Sequence, residues 1–179
     1  MAERLNIIMP CSRRWNLPRL FWYYEREMLS HTMEVRWLIG FAGPEPDFCG
    51  INKYNECLGM VNRGWVFMTS DDSMHDVSLF RSFQNTILSN PDCGAVVFGQ
   101  KRGIDGGVIF RACPENMKVC QVDLNQVFLK RDFLGSDRLD DESPREQVDG
   151  RLFVRLWKKD PGKFVFVGEH LTAWNNLRP

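Results

Sequence analysis

Short apolar runs alternate with segments of helical periodicity over the first hundred residues of this chain. The run "LNIIMP" (5–10), stopped by Pro10, predicts a buried first strand. Leu17, Leu20, Phe21, Tyr24 and Met28 then fall at helical spacing, with Asn16 placed to cap that helix and Pro18 suited to its first turn. "EVRWLIGFAG" (34–43) predicts a second strand closed by "GPEP", and Tyr54, Cys57, Leu58 and Val61 mark a short helix ending near Gly64. "WVFMTS" (65–70) predicts a third buried strand. Asp76 is placed to cap a helix from Val77 to Ser89 that turns Val77, Phe80, Phe83, Ile87 and Leu88 inward, and "GAVVFG" (94–99) predicts a fourth strand.

Strand and helix alternating in this way predict an α/β fold with a mostly parallel sheet. Right-handed crossovers place helices on both of its faces. The second half changes character. "GGVIFRA" and "QVFLK" predict short strands in a small antiparallel element, and "GSDRLDDESPREQVDG" (135–150), with six acids and three prolines or glycines, predicts a polar loop. Leu152, Phe153, Leu156 and Trp157 form one more helix face, and "KFVFV" (163–167) one more strand. With no internal repeat, low-complexity tract or linker, residues 1–179 are expected to form a single domain.

Composition narrows the functional classes. Of 179 residues, 44% are hydrophobic and 26% charged, the balance of a water-soluble globular chain. Lys plus Arg equals Asp plus Glu at 23 each, so nothing favours nonspecific nucleic-acid or membrane binding. No run approaches the ~20 apolar residues of a membrane span, and "MAERLNIIMPCSRR" does not have the form of a signal peptide. The six cysteines (11, 49, 57, 93, 113 and 120) form no CxxC. Reduced thiols and a cytoplasmic location are expected, and a zinc site is not.

The sharpest chemical signal is "GWVFMTSDDSMHD" (64–76), where an apolar run ends in two adjacent carboxylates, Asp71 and Asp72. Ligands of open α/β sheets bind beyond the carboxyl ends of the strands. Two carboxylates at such a place repel, and a divalent cation relieves the conflict. Mg²⁺ and Mn²⁺ take oxygen ligands, commonly one or two carboxylates plus substrate phosphates. The pair therefore predicts a metal–diphosphate site. The competing prediction is a cluster that caps the following helix, because Ser73 and Asp76 also favour helix starts.

The order of these motifs resembles the family-2-type glycosyltransferases of the GT-A fold, which use a nucleotide-diphosphate sugar and a metal-binding acidic motif. The resemblance spans most of the chain. It lies in "LNIIMPCSRR", "YNECLGMVNRGWVFMTSDDSMHD", "DLNQVFLKRDFLG" and "VDGRLFVRL". It implies a nucleotide-binding half over 1–99 and an acceptor-side half over 100–179. Pro10, Cys11, Ser12, Arg13 and Asp71 are implied to contact the nucleotide sugar, with Arg13 near the diphosphate. Asp72, Asp71 and His170 are implied to hold Mn²⁺ or Mg²⁺. Asp149 maps to the general base that takes the proton of an acceptor hydroxyl. The implied donor is a nucleotide-diphosphate sugar, with a UDP-sugar the expected one, and the acceptor a glycan or other hydroxyl compound. An aspartate base favours inversion.

The chain departs from the family in places. Val148-Asp149 stands where the family often has two acids in succession, and the second strand ends without the usual acid, for which Glu45 and Asp47 are the substitutes at hand. His75 is either a third metal ligand or a solvated residue at a helix start. Asp140, Asp141 and Glu142 form a solvated face, and "GIDGG" (103–107) a turn rather than a phosphate loop. Two other functional classes fit the same residues: a non-catalytic module that binds sugar nucleotides or glycans, and another phosphate-handling enzyme such as a nucleotidyltransferase.

Overall fold

The structure is a computed structural model and describes residues 3–28, 33–41, 50–103, 106–139, 147–174 and 177. Strands β1 (Arg4–Cys11), β2 (Glu34–Phe41), β3 (Trp65–Met68) and β4 (Ala95–Arg102) alternate with helices α1 (Leu17–Met28), α2 (Ile51–Gly59) and α3 (Leu79–Ser89). β5 (Val108–Phe110), β6 (Val127–Lys130), the short α4 (Arg131–Leu134), α5 (Val148–Lys159) and β7 (Phe164–Trp174) follow. The seven strands form one mixed sheet in the order β2-β1-β3-β6-β4-β5, with β7 also paired to β4. β1 is parallel to β2 and β3, and β7 to β4; β6 enters between β3 and β4 antiparallel to both. β5 is antiparallel to β4, as the second half of the sequence suggests.

Period-2 alternation along the strands gives the sheet two apolar faces. Leu5, Ile7, Met9, Trp65 and Phe67 pack with α1 and α3 through Leu20, Tyr24, Phe80 and Phe83. Ile8, Val66, Met68, Val97 and Val127 pack on the other face with α2 and α5 through Tyr54, Leu58, Leu152, Phe153 and Leu156. Phe128 on β6 lies stacked between Phe67 and Phe83, each ring centroid 4.2 Å away. The inserted antiparallel strand thus completes the first core rather than interrupting it.

Several local expectations are corrected. α3 begins at Leu79, so Val77 and Leu88 fall outside its apolar stripe and are 50% and 72% exposed. Asp76 does not cap α3 directly; its Oδ1 accepts from the backbone and hydroxyl of Ser78, one residue ahead of the helix. Asn16 lies in a 3-10 turn (Arg14–Asn16), and its side chain donates to the Asp71 carbonyl instead of capping α1. The polar stretch 135–150 yields its last residues to α5, and Leu139 within it is buried.

Gly64, between α2 and β3, has φ +85°, and a Cβ there would stand 2.4 Å from the Arg4 carbonyl oxygen. Both the left-handed backbone and that close approach require glycine. Gly64→Ala is expected to lower stability by about 2 kcal/mol, measured by denaturant unfolding; an unchanged midpoint would contradict this packing.

Candidate functional site

The apolar run of β3 stops at Met68 because the chain there leaves the two-faced core. β1 and β3 run side by side, Ile8 opposite Met68, and the Thr69 amide extends the ladder by donating to the Ile8 carbonyl at 2.9 Å. The polar segment 69–76 then turns across the carboxyl end of the sheet. Most of it is buried, so its polar groups require internal partners. Tyr23 donates to the His75 carbonyl, Tyr24 accepts from the His75 amide, and β7 accepts from the Asp76 amide through the Leu171 carbonyl. α1 and β7 thereby pin the segment from two sides.

Asp71 and Asp72 are 2% and 1% exposed. Asp71 Oδ2 accepts from the backbone amides of Ser12 at 2.7 Å and Arg13 at 2.5 Å, and from the Ser12 hydroxyl at 3.3 Å. Its Oδ1 pairs with Arg13 Nη1 at 2.7 Å, and the same Nη1 lies 3.3 Å from Asp72 Oδ2. Asp72 Oδ1 accepts from the Ser70 hydroxyl at 2.7 Å. Two like charges therefore meet at one spot against one guanidinium, which stands between them. Burial, followed by the Asp71 charge, pushes the adjacent Cys11 thiol above its ordinary value and keeps it neutral.

Asp149 and Asp123 form a second acidic pair. Asp149, in the first turn of α5, accepts from the Leu124 amide through Oδ2 at 3.3 Å and from the Gly150 amide through Oδ1 at 2.9 Å. Burial, then the charge of Asp123, raises its carboxyl to about 7. Asp123 starts a 3-10 turn and accepts through Oδ1 from the Asn125 amide, the Asn125 side chain and Gln100 Nε2. Asn125 Oδ1 accepts in turn from the Thr69 hydroxyl at 2.9 Å. The Tyr54 hydroxyl donates to the Thr69 carbonyl at 2.7 Å. Burial and then the charges of Asp123, Asp149, Asp72 and Asp71 hold that hydroxyl protonated well above the ordinary phenol range. The two acidic pairs thus lie around one buried tyrosine at the carboxyl end of β3.

His75 takes neither place considered for it. Burial lowers its imidazole to about 3. Nδ1 accepts from the Ala173 amide at 3.0 Å, so the proton sits on Nε2 and is donated to Thr69 Oγ1 at 2.9 Å. It is a neutral strut joining β7 to the segment 69–76. His170 lies on β7 with its ring against Gly99, lining an open cleft with Tyr23, Asp76, Lys101 and Arg102. Among the described residues no three His, Cys, Asp or Glu side chains converge to hold a metal ion, so His170 does not join Asp71 and Asp72.

Pro10 packs beneath Gly50 at the head of α2, and Cys11 is buried. Glu45, Asp47, Asp140, Asp141 and Glu142 lie outside the described residues. Among the described residues no disulfide forms, and Cys11, Cys57 and Cys93 are buried thiols. No site role was expected for Asp123, Asn125 or Gln100, and Tyr54 was expected only on the apolar face of a short helix. The signal for the first two was present: "DLNQ" carries an acid and a glutamine three residues apart, the pattern of a reciprocal cap, and Gln126 Oε1 does accept from the Asp123 amide.

A divalent cation between Asp71 and Asp72 requires carboxylate lone pairs directed at an open point and about six oxygen ligands. Here Arg13 Nη1 stands at that point, and both Asp71 oxygens are taken by N–H donors. The residues as arranged do not fit the ion.

No protein-family model matches the chain, and none of the curated proteins matches it in sequence. Among the described residues no helix is long and apolar enough to cross a membrane. Solved structures similar in fold include S. aureus TarS residues 1–349, a glycosyltransferase, with a TM-score of 0.55 at 9% identity over 97% of this chain. A197 from STIV matches with a TM-score of 0.54 at 12% identity over 98% of this chain and 83% of its own. The chain spans 58% of the TarS chain. At these identities the likeness is one of fold: a mixed α/β sheet flanked by helices, consistent with a GT-A-like fold.

Proposed function

We propose that the chain binds a nucleotide-diphosphate sugar at the carboxyl ends of β1 and β3 and transfers the sugar to a hydroxyl acceptor, with Asp149 as general base. The carrying observation is that both groups act on Tyr54: the charges of Asp123 and Asp149 and those of Asp72 and Asp71, the pair that Arg13 contacts, all reach its hydroxyl. A base is most effective when its proton affinity matches the working pH, and a carboxyl at about 7 meets that condition. Asp149 takes the proton of the acceptor hydroxyl as its oxygen bonds to the anomeric carbon. The bond from that carbon to the diphosphate oxygen breaks with its electron pair, and the nucleoside diphosphate leaves as an anion. Arg13 faces the charge that develops there, in a site of buried walls where a fixed cation stabilises it strongly. No step here uses a metal ion.

The competing reading is a binding module on the same fold. Turnover separates the two. Calorimetric titration of nucleotide sugars, each with Mn²⁺ and with chelator, identifies the donor; release of nucleoside diphosphate in the presence of glycan acceptors then reports transfer. Donor binding with no turnover across the acceptors would favour the binding module, and absence of binding to every nucleotide sugar would refute the transferase and leave only a module that binds glycans.

A further inference from the structure

The buried carboxylates Asp71 and Asp72 share one cation, and that cation belongs to the protein. Arg13 Nη1 bridges them at 2.7 and 3.3 Å, while the Ser12 and Arg13 amides fix Asp71 Oδ2 in place. The two carboxylates have almost no exposure, whereas the Arg13 side chain is 27% exposed. A guanidinium carries five N–H donors in a planar fork. It pairs with both acids through Nη1, and the side chain is partly open to solvent, so Nε and Nη2 are the donors for another acceptor.

We infer that Arg13 is the resident counter-ion of the Asp71–Asp72 pair and takes the position of a divalent cation, so that a diphosphate is held by its remaining donors without metal. Three parts of the geometry agree. The guanidinium is anchored by the acids on its inner edge, which fixes its plane. It lies at the turn after β1, at the carboxyl end of the sheet where ligands of such folds bind. And a planar fork matches two phosphate oxygens, which an ammonium or a single hydroxyl does not. The acids then serve to aim a cation, a role that explains why Asp71 is saturated with donors. The counter-ion assignment rests on this geometry alone, whereas its phosphate role rests on the sugar-nucleotide reading above.

The test uses the full chain, with Mn²⁺ followed by electron paramagnetic resonance in the absence of nucleotide, and UDP binding followed by calorimetry. Wild type should take up no Mn²⁺ that depends on Asp72. Arg13→Ala should bind Mn²⁺ about tenfold or more tightly than wild type, because it removes the guanidinium that both carboxylates contact. Adding Asp72→Asn to Arg13→Ala should abolish the gain. Arg13→Gln, which keeps a donor for Asp71 but not the charge, repeats the comparison should the alanine variant fold poorly. UDP should bind wild type with an affinity that differs less than about twofold between Mn²⁺ and chelator, while Arg13→Gln with chelator should lose about tenfold or more. Mn²⁺ uptake by wild type that disappears in Asp72→Asn overturns the assignment, as does the absence of any gain in both Arg13 variants. If UDP binds wild type in neither condition, the sugar-nucleotide reading and the phosphate role fall together, and the Mn²⁺ comparison still decides the counter-ion.

Discussion

Asp149→Asn is expected to transfer sugar about 10²–10⁴-fold more slowly than wild type while retaining its affinity for the donor. The substitution keeps the size of the side chain and one acceptor oxygen, for either the Leu124 or the Gly150 amide, while the other amide loses its acceptor. In wild type, kcat/KM should rise with pH through about 7 as the Asp149 carboxyl ionises. Stability carries an independent signature. Burial and the Asp123 charge raise Asp149 from 3.8 to about 7, so the folded chain holds a proton between those values that the unfolded chain has lost. That group makes stability fall as pH rises across the window. His75 acts in the opposite sense: burial lowers it from 6.5 to about 3, so the unfolded chain holds the extra proton, and stability falls as pH drops from 6.5. The two slopes cancel in wild type where the windows overlap. In Asp149→Asn the opposing slope is gone, and the His75 contribution, about 1.4 kcal/mol lost per pH unit below 6.5, is no longer offset by it. Above pH 7, where wild type carries a buried charge that the variant lacks, the variant should be the more stable of the two. Denaturant melts from pH 4 to 8 check this beside turnover; near-normal turnover would reduce Asp149 to a residue of the helix start.

Asp71→Ala is expected to destabilise the fold by about 3–5 kcal/mol, the cost of removing one partner from a buried ion pair. The loss is not confined to charge. Two backbone amides at the turn after β1 forfeit their acceptor together with the Arg13 guanidinium, and each unsatisfied buried donor costs roughly 1–3 kcal/mol. At about 2–4 °C per kcal/mol for a chain of this size, the melting temperature should fall by roughly 10 °C. Asp72→Asn should cost less, because it keeps an acceptor for Ser70 and its contact with Arg13, at 3.3 Å, is the longer of the two. Equal melting temperatures for Asp71→Ala and wild type would show that the turn is held by other contacts.

The alternation of strands and helices was legible in the first hundred residues because each element buries one face, and burial leaves a period. Leu20 and Tyr24, or Phe80, Phe83 and Ile87, mark their helical faces with no help from the rest of the chain. Val77 and Leu88 were misassigned because apolar side chains flanking a stripe do not announce where the helix starts. The place of β6 was not legible. "QVFLK" reads the same at a sheet edge as between β3 and β4, and only the stacking of Phe128 on Phe67 and Phe83 distinguishes the two. At the site, the like-charge pair was evident, as was the need for a positive partner. That the partner is Arg13, 58 residues earlier, follows from the adjacency of β1 and β3, a tertiary fact. His75 carries no local mark of its burial, which comes from Tyr24, Phe67 and β7 closing around it.

The central claim is that a nucleoside diphosphate seats on Arg13 at the carboxyl ends of β1 and β3. Amide and arginine Nε nuclear magnetic resonance spectra of the isotope-labelled chain, titrated with UDP in the presence of chelator, test it residue by residue. A saturable shift of the Arg13 Nε signal is expected, accompanied by shifts of the Ser12, Arg13 and Asp72 amides. Saturation that leaves these signals unmoved, with shifts gathered instead at Lys101, Arg102 and His170, would contradict it.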